Sequence, residues 1–490
     1  MHANVRNTGL ALGLSTVLLT HGIAAHSNTA QGKAGAPMVE RTVALGLSVG
    51  GDNACWVDID NDRYPDLVAG GGIWRNRDGR RFVRVGDSGP CVAADFDNDG
   101  FTDLFQFSPP ALLKNEKGQR FVNVALPALP ATVSRGAVWT DADNDGFVDI
   151  ILGGYEDWDR GITYPTLFLR NNQGKSFTLA HTDARYRARG LTAADFDRDG
   201  TPETYVSNYR LQPNVLWKWN GVQVPVDMAK ATGSVATSDG FDGGHSIGAA
   251  WGDFDNDGWL DLFAGNFAHV DSRGDQPKSR FLRNIPAEGT SRKFEDKGPC
   301  GIQYQESYAS PVAGDIDNDG RLDLWFTTVY GVASFGRPNF PVLFHNQGAF
   351  QFGDRTGELG LSGIGPTYQA AFADFDRDGD LDLVTGGRLY VNESAASPGT
   401  KWLSVRLRGD GSRVNRSAIG AQVRVRGGTQ VWTRQVEAGT GEGNQNDATL
   451  HIGLGRLDGP VDIDILWPGA GKRTFQKMGT NTHFEAVYGR

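Results

Sequence analysis

One nine-residue pattern governs this chain. Asp253-Phe-Asp-Asn-Asp-Gly-Trp-Leu-Asp261 reads D-x-D-x-D-G-x-x-D, and six further copies begin at Asp58, Asp95, Asp141, Asp195, Asp315 and Asp374. Carboxylates at positions 1, 3 and 5 of a tight loop converge on one point. Glycine at position 6 permits a positive φ, while a carbonyl at 7 and an acid at 9 close an oxygen-only shell. Such a shell suits Ca²⁺ better than Mg²⁺. The closing acid stands at 9 rather than 12, unlike an EF-hand loop. The residues after it, such as Asp261-Leu-Phe-Ala-Gly, are strand-like, so each loop joins two strands. One acidic run alone would leave a solvated surface turn open as the lesser alternative; seven at the same spacing make that reading remote.

The expected ligands are therefore Asp58, Asp60, Asp62 and Asp66; Asp95, Asp97, Asp99 and Asp103; Asp141, Asp143, Asp145 and Asp149; Asp195, Asp197, Asp199 and Glu203; Asp253, Asp255, Asp257 and Asp261; Asp315, Asp317, Asp319 and Asp323; and Asp374, Asp376, Asp378 and Asp382. They make room for up to seven Ca²⁺, one per repeat. Two copies depart from the pattern. Arg63 stands where glycine belongs, at a cost of roughly 1 kcal/mol for a left-handed turn, and Glu203 closes its loop with a longer arm. The first site is expected to be the weakest.

These loops hold 28 of the chain's 58 acids, and seven Ca²⁺ would turn the net charge from −10 to +4. The acidity thus reflects metal loops rather than a basic partner, and no concentrated Lys/Arg patch points to nucleic acid. Residues 1–25 read as a signal peptide: Arg6, an apolar core from Leu10 to Leu19, and small residues at Gly22-Ile-Ala-Ala25. That core is too short to span a bilayer and no later stretch qualifies. The expectation is a secreted or periplasmic protein without a membrane span, with 26–37 as a linker. Cys55, Cys91 and Cys300 are no disulfide framework; a Cys55–Cys91 bridge and three free thiols both remain open.

The loop starts are separated by 37, 46, 54, 58, 62 and 59 residues, a spacing that suits one four-stranded antiparallel unit each. Seven such units read as an all-β fold, a seven-bladed β-propeller over residues 38–400. The last unit lacks a fourth strand, and residues 38–47 line up with 352–361, so they are expected to complete it. Two residues before each loop stand Trp56, Ala93, Trp139, Ala193, Trp251, Ala313 and Phe372. This large–small alternation reads as packing between units. Beyond residue 400 the loops stop, and strand-like runs separated by glycine-rich turns predict a small β-sandwich-like domain over 401–490.

The repeats resemble FG-GAP or VCBS-type repeats, as in integrin α-chains. Asn415-Arg-Ser-Ala-Ile-Gly-Ala421, Leu450-His-Ile-Gly-Leu-Gly455 and Val461 to Trp467 with Pro468-Gly469 resemble the ASPIC/UnbV domain. The pairing is similar to the cartilage acidic protein family and its bacterial relatives, which implies the propeller and calcium but little about chemistry. Gly439-Thr-Gly-Glu-Gly-Asn-Gln-Asn departs from the aromatic-containing segment of that family, which puts any function carried by this loop in doubt.

No nucleophile elbow, helical zinc motif, P-loop or dinucleotide fingerprint occurs. Arg135, Arg189, His245, Tyr308 and Tyr368 stand six to eight residues before their loops, at the entrances of the inner strands. They read either as acid–base groups converging on a funnel or as the polar lining of a wet channel. Arg-Gly-Asp occurs at 273–275 and 408–410, and Asn392 and Asn415 open glycosylation-type triplets. The leading expectation is an exported calcium-binding protein, its calcium structural, that binds a protein, glycan or small molecule. The alternative is a lyase, isomerase or cyclase using the funnel.

Overall fold

A computed structural model describes residues 37–219, 224–271, 274–288, 292–393 and 398–490. The leader and nearly all of the linker expected over 1–37, and Arg273 of the first Arg-Gly-Asp triplet, lie outside them. The described residues are almost wholly β: one four-residue α-helix, Ala229–Thr232, and one 3₁₀ turn, Ser334–Gly336, are the only helical segments among them. None is long and apolar enough to cross a membrane.

Each acidic loop connects the first two strands of a four-stranded antiparallel sheet. The first sheet runs Ala54–Val57, Asp66–Ala69, Gly72–Asn76, Phe82–Asp87, and the second Cys91–Ala94, Asp103–Phe107, Pro110–Asn115, Phe121–Val124. The third to sixth begin at Ala137, Ala188, His245 and Tyr308. The seventh contains Ala370–Ala373, Asp382–Thr385 and Arg388–Asn392, and its fourth strand is Met38–Glu40, paired antiparallel with Arg388–Asn392. Two further sheets follow residue 400. One has three strands, Leu450–Gly455, Lys401–Arg408 and Thr482–Val487; the other has four, Gln430–Gln435, Gln422–Gly427, Val461–Trp467 and Gly471–Met478.

The expectation of a seven-bladed propeller is corrected here. The described strands fall into eleven separate sheets, eight of them four-stranded, and no sheet closes on itself. The spacing of the repeats dictated the four-stranded unit, but hydrogen-bonded pairing ends at the fourth strand, so the repeat does not by itself define a closed sheet. Neighbouring sheets meet instead through side chains. Trp56, Trp139, Trp251 and Phe372, the large members of the alternation, are buried. Trp139 Nε1 donates to the Val92 carbonyl of the preceding sheet at 3.2 Å, and Trp56 Nε1 to the Ala371 carbonyl at 3.3 Å. The apolar core of the second and third sheets continues without a break into Leu403, Val405, Val423, Ile452 and Ile463.

The three cysteines are free; Cys55 and Cys91 are buried. Asn392 and Asn415 are fully buried and donate from Nδ2 to backbone carbonyls, so neither triplet offers its amide to a glycan.

Candidate metal loops and the central segment

The acidic loops are held by their own backbone. Asp95 accepts the N–H of Asp99 at 3.0 Å and of Gly100 at 2.7 Å; Asp141, Asp195 and Asp315 do the same in their loops. Glycine at position 6 has φ between 87° and 96° in six loops, and Arg63 takes 75° in the first. Position 4 is also left-handed in every loop, at Asn61, Asn98, Asn144, Arg198, Asn256, Asn318 and Arg377. The motif reading missed this role, although asparagine tolerates that conformation better than most residues. These side chains tie loop to loop: Asn61 Nδ2 reaches the Gly100 carbonyl at 2.8 Å, Asn98 that of Gly146 at 2.9 Å, and Asn318 that of Gly379 at 2.9 Å.

The ninth acid is anchored differently. Asp103 accepts the Phe96 N–H on one oxygen and the Asn115 N–H on the other, at 3.1 and 2.7 Å. Asp66, Asp149, Asp261, Asp323 and Asp382 repeat this arrangement. The acid therefore fastens its loop to the third strand, and the asparagine there reaches the preceding loop, as when Asn115 Nδ2 donates to the Ile59 carbonyl at 2.8 Å.

Carboxylate oxygens from positions 1, 3 and 5 come within 4.8 Å of one another at Asp58/60/62, Asp95/97/99, Asp141/143/145 and Asp195/197/199; Asp317, Asp323 and His345 form a further group. This oxygen-rich donor set can chelate a divalent cation. Two observations support the fit. Buried oxygens of Asp58, Asp60, Asp143, Glu203, Asp317 and Asp374 have no hydrogen-bond partner, and a bare buried carboxylate oxygen is costly. Burial also pushes the first acid of Asp95, Asp141, Asp195 and Asp253 loops up to about 7, and Asp374 up to about 8, helped by neighbouring carboxylates.

The third strand adds a feature the motif does not contain. A basic side chain points into six of the loops. Arg75 pairs with Asp60 at 3.2 Å, Lys114 with Asp97 and Asp99, Arg170 with Asp143, Lys218 with Asp197, Asp199 and Glu203, and Arg283 with Asp255 at 2.6 Å. His345 lies 3.0 Å from Asp323. In the seventh loop the matching residue is Val391, and among the described residues Asp374, Asp376, Asp378 and Asp382 form no ion pair. The first loop gains a second guanidinium from beyond residue 400, since Arg406 meets Asp58 at 2.6 Å. The Gly-to-Arg departure at position 63 and this pair both set the first loop apart.

The segment that sequence reasoning discounted occupies the middle of the array. Residues 435–446 hydrogen-bond to the first strand of all seven sheets. Gln445 bonds Trp56 and Ala93, the Ala438 carbonyl accepts from Trp139, and Gln435 bonds Ala193. Gly441 donates to Ala249, Glu442 to Ser310 Oγ, and Asn446 accepts the Phe372 N–H. Small residues let the segment in: a Cβ on Gly441 would meet Ser310 Oγ at 2.2 Å. At its tip Glu442 pairs with Arg189, and Arg189 lies 4.8 Å from the Tyr155 ring, 5.4 Å from Tyr209 and 5.3 Å from Tyr368.

Of the five funnel candidates, Arg189 and Tyr368 meet directly, Arg135 stacks on Tyr155 at 5.9 Å, and His245 joins through Tyr209 at 4.8 Å. Tyr308 does not join them. It stacks on Phe326 at 4.2 Å and donates to the Gln303 carbonyl within the core. Sequence reasoning missed Tyr155, Tyr209 and Glu442 because they come from other loops. The second Arg-Gly-Asp carboxylate, Asp410, is engaged by its own turn. Burial opposes its ionisation, but the N–H groups of Val414, Arg413 and Ser412 prevail and lower it to about 2.

Comparison with known proteins agrees with the motifs. The ASPIC and UnbV family matches residues 411–490, and the FG-GAP-like repeat matches 141–206. This chain is similar to FG-GAP and ASPIC/UnbV proteins. Cartilage acidic protein 1 of Mus musculus is 26% identical over 316 residues, 54% of this chain and 43% of that protein. Cartilage acidic protein 1 of Xenopus tropicalis is 28% identical over 297 residues, 57% of this chain and 41% of that protein. The matches thus span less than half of these relatives. Among solved structures, the V. cholerae biofilm matrix protein Bap1 aligns at a TM-score of 0.30 and 10% identity, covering 90% of this chain and 74% of that one. The architecture implied by the resemblance is corrected by the separate sheets described above; what the matches support is a relationship of repeats and C-terminal region, together with clustered acids able to hold a metal.

Proposed function

We propose that this protein is an exported, calcium-stabilised binding protein whose ions brace the loops beneath a ligand-binding surface. The observation that carries the reading is the set of buried, unpartnered carboxylate oxygens in loops already shaped by their own backbone. A cation supplies the missing partner. The leader-like residues 1–25 support export, into a setting where Ca²⁺ is plentiful. The deciding test is thermal unfolding with Ca²⁺, with Mg²⁺ and with chelator. One site at a hundred-fold excess over its Kd adds about 2.7 kcal/mol, so Ca²⁺ should raise the midpoint by several degrees and Mg²⁺ by less. A midpoint indifferent to chelator would remove the proposal.

A further inference from the structure

The cluster around Arg189 has the makings of a ligand site that the metal loops do not explain. Arg189 is buried, its Nε donating to Glu442 Oε1 at 2.7 Å and its Nη1 to the Tyr155 hydroxyl at 3.3 Å. Glu442 answers its charge, so Arg189 serves to gather the three tyrosine rings rather than to receive an anion. Arg135 is the group left over. It is exposed, it lies 5.9 Å from the Tyr155 ring, and among the described residues it forms no ion pair. Buried Glu156 is likewise answered, by Arg187 at 2.8 Å and Arg210 at 3.0 Å, which leaves Arg135 as the guanidinium of the cluster without an ion pair among the described residues. The surface presents hydrogen-bond donors, the Arg135 guanidinium and the phenol of half-buried Tyr368, beside aromatic rings. Arg210 extends this group outward, lying 5.5 Å from the Tyr209 ring and 3.8 Å from exposed Trp158.

We propose that this cluster binds a small organic carboxylate carrying a flat ring, with the carboxylate on Arg135 and the Tyr368 hydroxyl and the ring against the tyrosines. The inference rests on the binding-protein reading above and names the chemical class of its ligand. A guanidinium matches a carboxylate in a bidentate, charge-assisted pair, and the aromatic faces favour a planar body over an aliphatic one.

The test is calorimetric titration of the full calcium-loaded chain with sodium benzoate, set against acetate, which lacks the ring, and benzyl alcohol, which lacks the charge. Saturable benzoate binding, about ten-fold or more tighter than either control, is expected. Arg135→Ala should weaken it by at least about ten-fold while leaving the calcium-dependent melting shift in place, and Tyr368→Phe should weaken it less. Failure of benzoate to bind saturably, or equal binding by Arg135→Ala, overturns the assignment. If benzoate fails while calcium still stabilises the protein, only this inference falls; if calcium has no effect, the reading beneath it falls as well.

Discussion

Arg189 and Glu442 form a buried ion pair, Nη2 to Oε1 2.6 Å, between residues 253 positions apart in the chain. One belongs to the fourth sheet and the other to the segment that bonds all seven. Burial raises the Glu442 carboxyl against the opposing pull of Arg189. Removing one partner strands the other charge inside the protein. Glu442→Ala should therefore cost roughly 3–5 kcal/mol, whereas the double change Arg189→Met with Glu442→Met should cost clearly less. Urea unfolding of the two variants measures this; equal losses for the single and the double change would show that the pair is not the source.

The seventh loop is expected to depend most on added cation, because Val391 replaces the basic residue that enters the other six. Asp376→Asn should remove a larger share of the calcium-induced melting shift than Asp97→Asn does. Val391→Lys should raise the metal-free midpoint and shrink the response to Ca²⁺. Should Val391→Lys leave the calcium response untouched, the basic residues are not standing in for the ion.

Stability without metal should fall as pH rises. Asp95, Asp141, Asp195 and Asp253 are raised to about 7 and Asp374 to about 8 by burial, whereas an unfolded aspartate titrates near about 4. The folded protein then holds protons that the unfolded chain releases, so this contribution is complete below about pH 4 and is lost as pH passes through about 7 to 8. Ca²⁺ needs the deprotonated acids, so its stabilising effect should grow across the same window. Unfolding midpoints in chelator and in Ca²⁺ from mildly acidic to mildly alkaline pH check both trends; a metal-free midpoint that rises with pH contradicts the first.

Thiol reactivity should separate the cysteines. Cys55 and Cys91 are buried, and burial together with the neighbouring Cys91 raises the Cys55 thiol well above its usual value. Cys300 is partly accessible, though burial lifts it to about 11. A thiol reagent should label Cys300 slowly in the native protein and the other two only after unfolding. Native labelling of three equivalents would show that the first two sheets open readily.

The sequence by itself determined the repeating unit. The position of every acid, the glycine at position 6 and the apolar runs beyond position 9 are local facts, since a nine-residue loop is shaped by its own backbone bonds. Local spacing also located the large–small alternation of Trp56, Ala93 and Trp139, whose rings bury against the neighbouring sheet. What lies between units was decided only by the tertiary structure. The sheets are separate because strand pairing stops at each fourth strand, which no repeat length states. The Val391 exception matters only once third strands are seen to face the loops. Glu442 reaches Arg189 from 253 residues away because a glycine-rich segment can pass where a bulkier one would collide with Ser310, and contacts between distant segments leave no periodic trace in the chain.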